Sequence, residues 1–216
     1  MQKEKTEPSP LQKALNLWAV VLIVWAFYRA KLQMPIWFDE FIAKPIVFVL
    51  PIFWYIKKKE KASLIKGLDL RLKTIPRDLF LGVSLGIIFL LTAGVSIYLR
   101  QQKINIPLFN QWLNLIIIGL ATAISEEILS RGFVLKRLYQ ESRNAFSSSF
   151  FASILFFFLH IPILFTSQKM TGNLLLMVMG VDIIFSFING LLFIEYGLFL
   201  PVLIHFFYNL SLSLLI

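Results

Sequence analysis

The chain has 216 residues, 58% of them hydrophobic and only 15% charged, with 22 Phe, no Cys and a net charge of +9. Soluble domains average about 45–50% apolar and about 25% charged, so this composition excludes a soluble globular protein and leaves room for a single membrane-embedded bundle. The lack of cysteine excludes a disulfide framework, a thiolate metal site and a cysteine nucleophile. The surplus cations sit in loops between oily segments, which is the pattern of membrane topology and anionic headgroups, so no nucleic-acid partner is expected.

In chain order, residues 1–10 are polar with two prolines and are expected to be disordered. Residues 11–110 form N-terminal transmembrane helices. The first span, about 15–27, lacks a small-residue cleavage site and reads as a retained helix. The second, about 41–56, is interrupted by Lys44, Pro45 and Pro51. A basic cytoplasmic loop follows at 57–78, where Leu64, Leu68, Leu70 and Leu72 let part of the chain lie on the headgroups. The third span, about 79–99, is uncharged. Residues 111–216 form the core, with a fourth span at about 112–135 and a fifth at about 146–160. The sixth, about 173–194, contains Asp182 and Asn189-Gly190, and the seventh, about 198–216, contains His205 and Asn209. The expected fold is all-α, a polytopic transmembrane helix bundle of about seven spans (six to eight). With the N-terminus in the cytoplasm, Lys3, Lys5, Lys13, the cations of 57–78, Lys136, Arg137 and Arg143 lie inside. Arg29, Lys31, Lys44, Arg100, Lys103 and Lys169 lie outside, so the asymmetry favours this orientation.

One stretch breaks the oily pattern. Residues 121–135 carry Glu126, Glu127 and Arg131 side by side. A charge at the centre of a span costs about 3 kcal/mol on insertion scales, which makes it a candidate functional group. Glu127 and Arg131 are four apart and share a helix face, so they can pair. Glu126 is rotated from Glu127 by about 100° and needs a partner from another helix. At about 1.5 Å per residue, Glu126, His160 and His205 fall about 15, 20 and 10 Å from the cytoplasmic ends of their helices. The two histidines are the only ones in the chain. The plain reading of each alone is an interhelical hydrogen bond, and Asp182 is as well explained by packing as by a site. Together with Asn209, the matched depths point to one cavity open to the cytoplasm.

Glu126-Glu127-x-x-x-Arg131, Phe156-x-x-x-His160 and His205-x-x-x-Asn209, in this order and with Gly132-Phe133 after the arginine, resemble the motifs of the CAAX protease and bacteriocin-processing (CPBP) family of intramembrane glutamic endopeptidases. The resemblance covers about 118–212. It implies that Glu126 is the general base, that His160 helps it activate a water, and that His205 and Asn209 stabilise the oxyanion. Glu127 and Arg131 would support the site. The departures from the pattern are Ile161-Pro162 with a bulky oily loop after His160, and Glu195 in the turn before the last span. No cofactor and no metal are implied. The expected partners are membrane lipids and a peptide or membrane-protein substrate, prenylated or not, and the expected location is a bacterial plasma membrane, multi-pass. The oligomeric state is left open.

Three rival readings carry the same residues. A non-catalytic scaffold or bacteriocin-immunity protein would keep the polar cluster for packing alone. A zinc-dependent metalloprotease would use the histidines and glutamates as ligands, although no His-Glu-x-x-His helix is present. A small transporter should show an inverted repeat, and none is visible.

Overall fold

The computed structural model describes residues 8–32, 34–101, 109–166 and 172–215. The cations Lys3, Lys5, Lys103 and Lys169, and most of the N-terminal segment expected to be disordered, lie outside them. Every regular element among the described residues is helical. Helix α1 (Pro10–Lys31) starts where Ser9 Oγ accepts the Gln12 N–H at 3.1 Å, with Pro10 at the first helical position. Next comes a broken helix. It consists of α2 (Ile36–Phe38), two π-helical turns at Asp39–Ala43 and Pro45–Val49, and α3 (Leu50–Lys58). Pro45 and Pro51 each remove a backbone donor, which fits the shift to i→i−5 bonding on either side of Lys44.

The basic loop holds the short helix α4 (Leu64–Gly67), capped by Ser63, and a 3₁₀ turn at Leu72–Thr74. Helices α5 (Ile75–Gln101) and α6 (Phe109–Glu127) follow. The chain after α6 continues through a third π-helical stretch, Ile128–Leu135, into α7 (Lys136–Ser142). Arg143 then adopts the left-handed conformation and Asn144 Oδ1 accepts the Ser147 N–H at 2.9 Å, so the chain reverses into α8 (Ala145–Thr166). Helix α9 (Gly172–Tyr196) joins α10 (Phe199–Leu215) through Gly197 at φ +84°, where a Cβ would lie 2.7 Å from Asp69 O. Arg71 closes that turn from the basic loop by donating to the carbonyls of Ile194 and Glu195.

Each of the seven expected spans is helical. Among the described residues, five helical stretches are long and apolar enough to cross a membrane: Pro10–Lys31, Leu72–Leu99, Phe109–Ser142, Ala145–Pro162 and Met179–Tyr196. Phe199–Leu214 is apolar but shorter. The second expected span falls outside this set because it is broken; it carries Lys44, and Asp39 and Glu40 lie just before it, all three buried. Outward-facing Ile23, Phe27, Phe80, Leu91 and Ile184 are exposed, as hydrocarbon contact requires, while Trp25, Phe48, Ile52, Leu129 and Phe133 fill the interior. The all-α polytopic bundle is the observed fold.

Helix α10 is the hub. It packs on α5, α6 and α9, and α8 packs on α9 and α1. Small residues let α5 and α10 approach: a Cβ on Gly82 would meet Leu203 at 2.8 Å, and one on Gly86 would meet the Phe207 ring at 2.3 Å. Gly94, further along α5, has nothing within 4 Å. Gly86→Ala should therefore cost about 1–3 kcal/mol through overpacking and lower the melting temperature in detergent. Gly94→Ala should leave it unchanged or raise it, since alanine is the better helix former.

Candidate active site

The two adjacent glutamates point into different networks, as the helical rotation between them requires. Glu127 is fully buried and its Oε1 collects three contacts: Arg131 Nη1 at 2.8 Å, Asn189 Nδ2 at 3.0 Å and His205 Nδ1 at 2.7 Å. Arg131, also buried, spends its remaining donors on Ser130 Oγ and on the hydroxyl and carbonyl of Ser186. Its guanidinium stacks 4.5 Å over Phe156, whose ring also lies 4.6 Å from His160 and 5.9 Å from His205. One ion pair and one aromatic ring thus tie α6, α8, α9 and α10 together.

Glu126 turns to the opposite side. Its Oε1 lies 2.7 Å from Lys44 Nζ, a contact spanning 82 residues of sequence. The same ammonium donates to both oxygens of Glu40, at 2.7 and 2.8 Å. Glu40 Oε2 in turn lies 2.7 Å from the Thr122 hydroxyl. Charge counting put Lys44, at the start of the second span, with the outer cations. The structure corrects this: its side chain is 4% exposed and serves as the interhelical partner that Glu126 needed.

The other oxygen of Glu126 has a different setting. Oε2 is buried, takes no hydrogen bond, and sits 3.6 Å from His160 Nε2 and 3.7 Å from His205 Nε2. Both imidazoles turn their Nδ1 away, His160 toward Phe156 O at 3.2 Å and His205 toward Glu127 Oε1. Those acceptors place an N–H at Nδ1 of each ring and leave both Nε2 atoms facing Glu126. His160 remains 23% exposed while His205 is buried, so access to this point is from the α8 side.

The structure therefore brings Glu126, His160 and His205 together, with Glu127 and Arg131 behind them. Asn209 stands apart, one turn beyond His205. Its amide nitrogen is buried without a partner, and with Thr122 and Gly119 it lines a cavity of about 440 Å³. Asp182 accepts from Tyr208 Oη at 2.9 Å, and Tyr208 stacks on Phe185, so this acid serves packing between α9 and α10. Ser125 and Ser130 both donate to backbone carbonyls of their own helix and are not poised as nucleophiles. Sequence reasoning missed Lys44, Glu40, Asn189 and Ser186. An amide in an oily helix was a visible signal for Asn189; nothing local marked Ser186.

Residues 108–211, which hold Glu126, His160, His205 and Asn209, match the family model described as type II CAAX prenyl endopeptidase Rce1-like. Over this stretch, just under half of the chain, the sequence is similar to the CPBP/CAAX protease family. Comparison with curated proteins and with solved structures gave no match. The match and the apolar helices indicate an integral, multi-pass membrane protease.

The geometry separates support from chemistry. Glu127→Gln in this protease leaves Arg131 unpaired at depth, and breaking a buried pair commonly costs about 3–5 kcal/mol. The melting temperature in detergent should fall sharply. Adding Arg131→Gln should recover part of the loss, because no charge is then stranded. Equal melting of Glu127→Gln and wild type would show that the pair does not hold the bundle.

Proposed function

We propose that the chain is a glutamic-type intramembrane endopeptidase in which Glu126, aided by His160, activates a water for attack on a peptide carbonyl. The observation that supports this most is the setting of Glu126: one oxygen fixed by Lys44, the other facing two imidazole nitrogens at 3.6 and 3.7 Å. A water within about 2.8 Å of all three atoms fits that spacing. In the reaction the water gives a proton to Glu126 as its oxygen bonds to the carbonyl carbon. The carbonyl electrons move onto oxygen, and collapse of that oxyanion expels the amine, which takes the proton from Glu126. No covalent intermediate forms.

The oxyanion needs donors. Asn209 Nδ2 supplies one from the cavity side. His205, whose Nδ1 is turned to Glu127, supplies a second from Nε2 when that nitrogen carries a proton. Preorganised donors of this kind are commonly worth about 3–4 kcal/mol each. Asn209 has to meet the substrate one turn away from Glu126, so an extended peptide would pass along the α6–α10 seam. Lys44 also bears on the zinc reading, since an ammonium against Glu126 opposes a divalent cation on the same carboxylate.

Glu126→Gln is the direct test, with purified protein and paired peptides, prenylated and unprenylated, in detergent micelles. The variant leaves Lys44 paired one-to-one with Glu40, so it should melt near the wild type. Its kcat/KM should fall by roughly 10²–10⁴-fold, the span of general-base effects. Cleavage at the wild-type rate by Glu126→Gln would overturn the assignment. Chelators should leave activity intact, whereas loss on stripping and recovery with zinc would establish the metalloprotease instead.

A further inference from the structure

Lys44 lies outside the family-matched stretch, 64 residues before it begins, yet it makes the closest contact to Glu126 of any charged side chain in the described structure. We propose that Lys44 is a positioning residue for the proteolytic reaction: it locks the Glu126 carboxylate in place and keeps it in the basic form, with Glu40 setting how strongly it does so. This rests on the reading of Glu126 as the general base.

Three observations carry it. First, Lys44 Nζ has three donors and all are committed, two to Glu40 and one to Glu126 Oε1. The ammonium therefore cannot swing away without breaking buried bonds, and it fixes which Glu126 oxygen faces the histidines. Second, the backbone around it is unusual on both sides. Lys44 sits between two π-helical turns and Glu126 just before a third, and such turns commonly mark functional sites because they re-aim side chains. Third, burial makes the arrangement costly unless it has a use. Asp39, next to Glu40, is held separately by Tyr28 and Arg29, so the Glu40–Lys44 pair is not needed to neutralise its own neighbour.

The charges facing Glu126 come from every element around it. Lys44 and Glu40 approach from the broken helix, His160 from α8 and His205 from α10. Asp182 interacts electrostatically from α9, and Glu127 and Arg131 share its own helix. Of these, only Lys44 bonds directly to a Glu126 carboxylate oxygen. Removing it leaves the base to the two imidazoles. A neighbouring ammonium changes the field at the carboxylate it bonds, so its removal reads out in the rate profile against pH.

Lys44→Met alone strands Glu40 and Glu126 together, so the test uses variants that keep charge balanced. Glu40→Gln leaves Lys44 paired with Glu126 alone. Glu40→Gln with Lys44→Met removes one charge of each sign and preserves the net buried charge. Cleavage of the same micellar peptide is followed as kcat and KM against pH, with melting temperatures alongside. Relative to Glu40→Gln, the double variant should displace the acidic limb by ~1 unit or more, lower kcat at neutral pH by about tenfold or more, and leave KM within about twofold. If the double variant keeps the profile of Glu40→Gln, whatever its melting temperature, Lys44 is only structural and the proposal fails. Glu126→Gln in the Glu40→Gln background separates the two levels. Retained cleavage there would refute Glu126 as the base. Loss of cleavage there, with no shift from Lys44→Met, would refute the role of Lys44 alone.

Discussion

A buried charge must find a partner or leave the bilayer, and that constraint organises this bundle. Glu40, Lys44, Glu126, Glu127 and Arg131 are among the charge-bearing side chains buried in it. None of them can be satisfied by its immediate neighbours alone. Lys44 has to bring the broken N-terminal helix against α6 to reach Glu126, and Arg131 has to bring α9 close enough for Ser186 to accept its second nitrogen. Apolar packing cannot choose among helix arrangements in lipid, because tails and side chains are equally oily. Paired charges can, since each wrong arrangement strands one of them.

The adjacency of Glu126 and Glu127 turns that constraint into a division of labour. Successive helical residues point about 100° apart, so two neighbouring carboxylates enter separate environments with almost no change in backbone. Glu127 meets three donors on one oxygen and becomes a fixed strut. Glu126 meets one ammonium and two imidazoles, and one of its oxygens faces the rings beyond hydrogen-bonding distance. His205 joins the two halves of the arrangement, with Nδ1 on Glu127 and Nε2 facing Glu126. Moving one glutamate disturbs the other through that ring.

Much of this was legible in the sequence, for physical reasons that differ by residue. The Glu127–Arg131 pair follows from helical periodicity, which holds even though a π-helical stretch begins at Ile128. The meeting of Glu126, His160 and His205 follows from depth, because a slab geometry makes position along a helix a usable coordinate. Lys44 was hidden by the same reasoning. Its place near the outer end of the second span made it count with the outer cations, and its partner lies 82 residues away, where periodicity carries no information. Asn209 was expected beside the others but stands at a cavity one turn on, since residues four apart on a helix share a face but not a depth.

In the proposed reading Glu126 is an ionised carboxylate, held inside the bundle by a lysine from the other half of the chain. Infrared difference spectroscopy of wild type minus Glu126→Gln, in lipid at neutral pH, reads that state directly. The spectrum should lose a carboxylate stretch and leave the protonated carboxylic-acid region flat. Loss of a protonated carboxylic-acid band instead would contradict it.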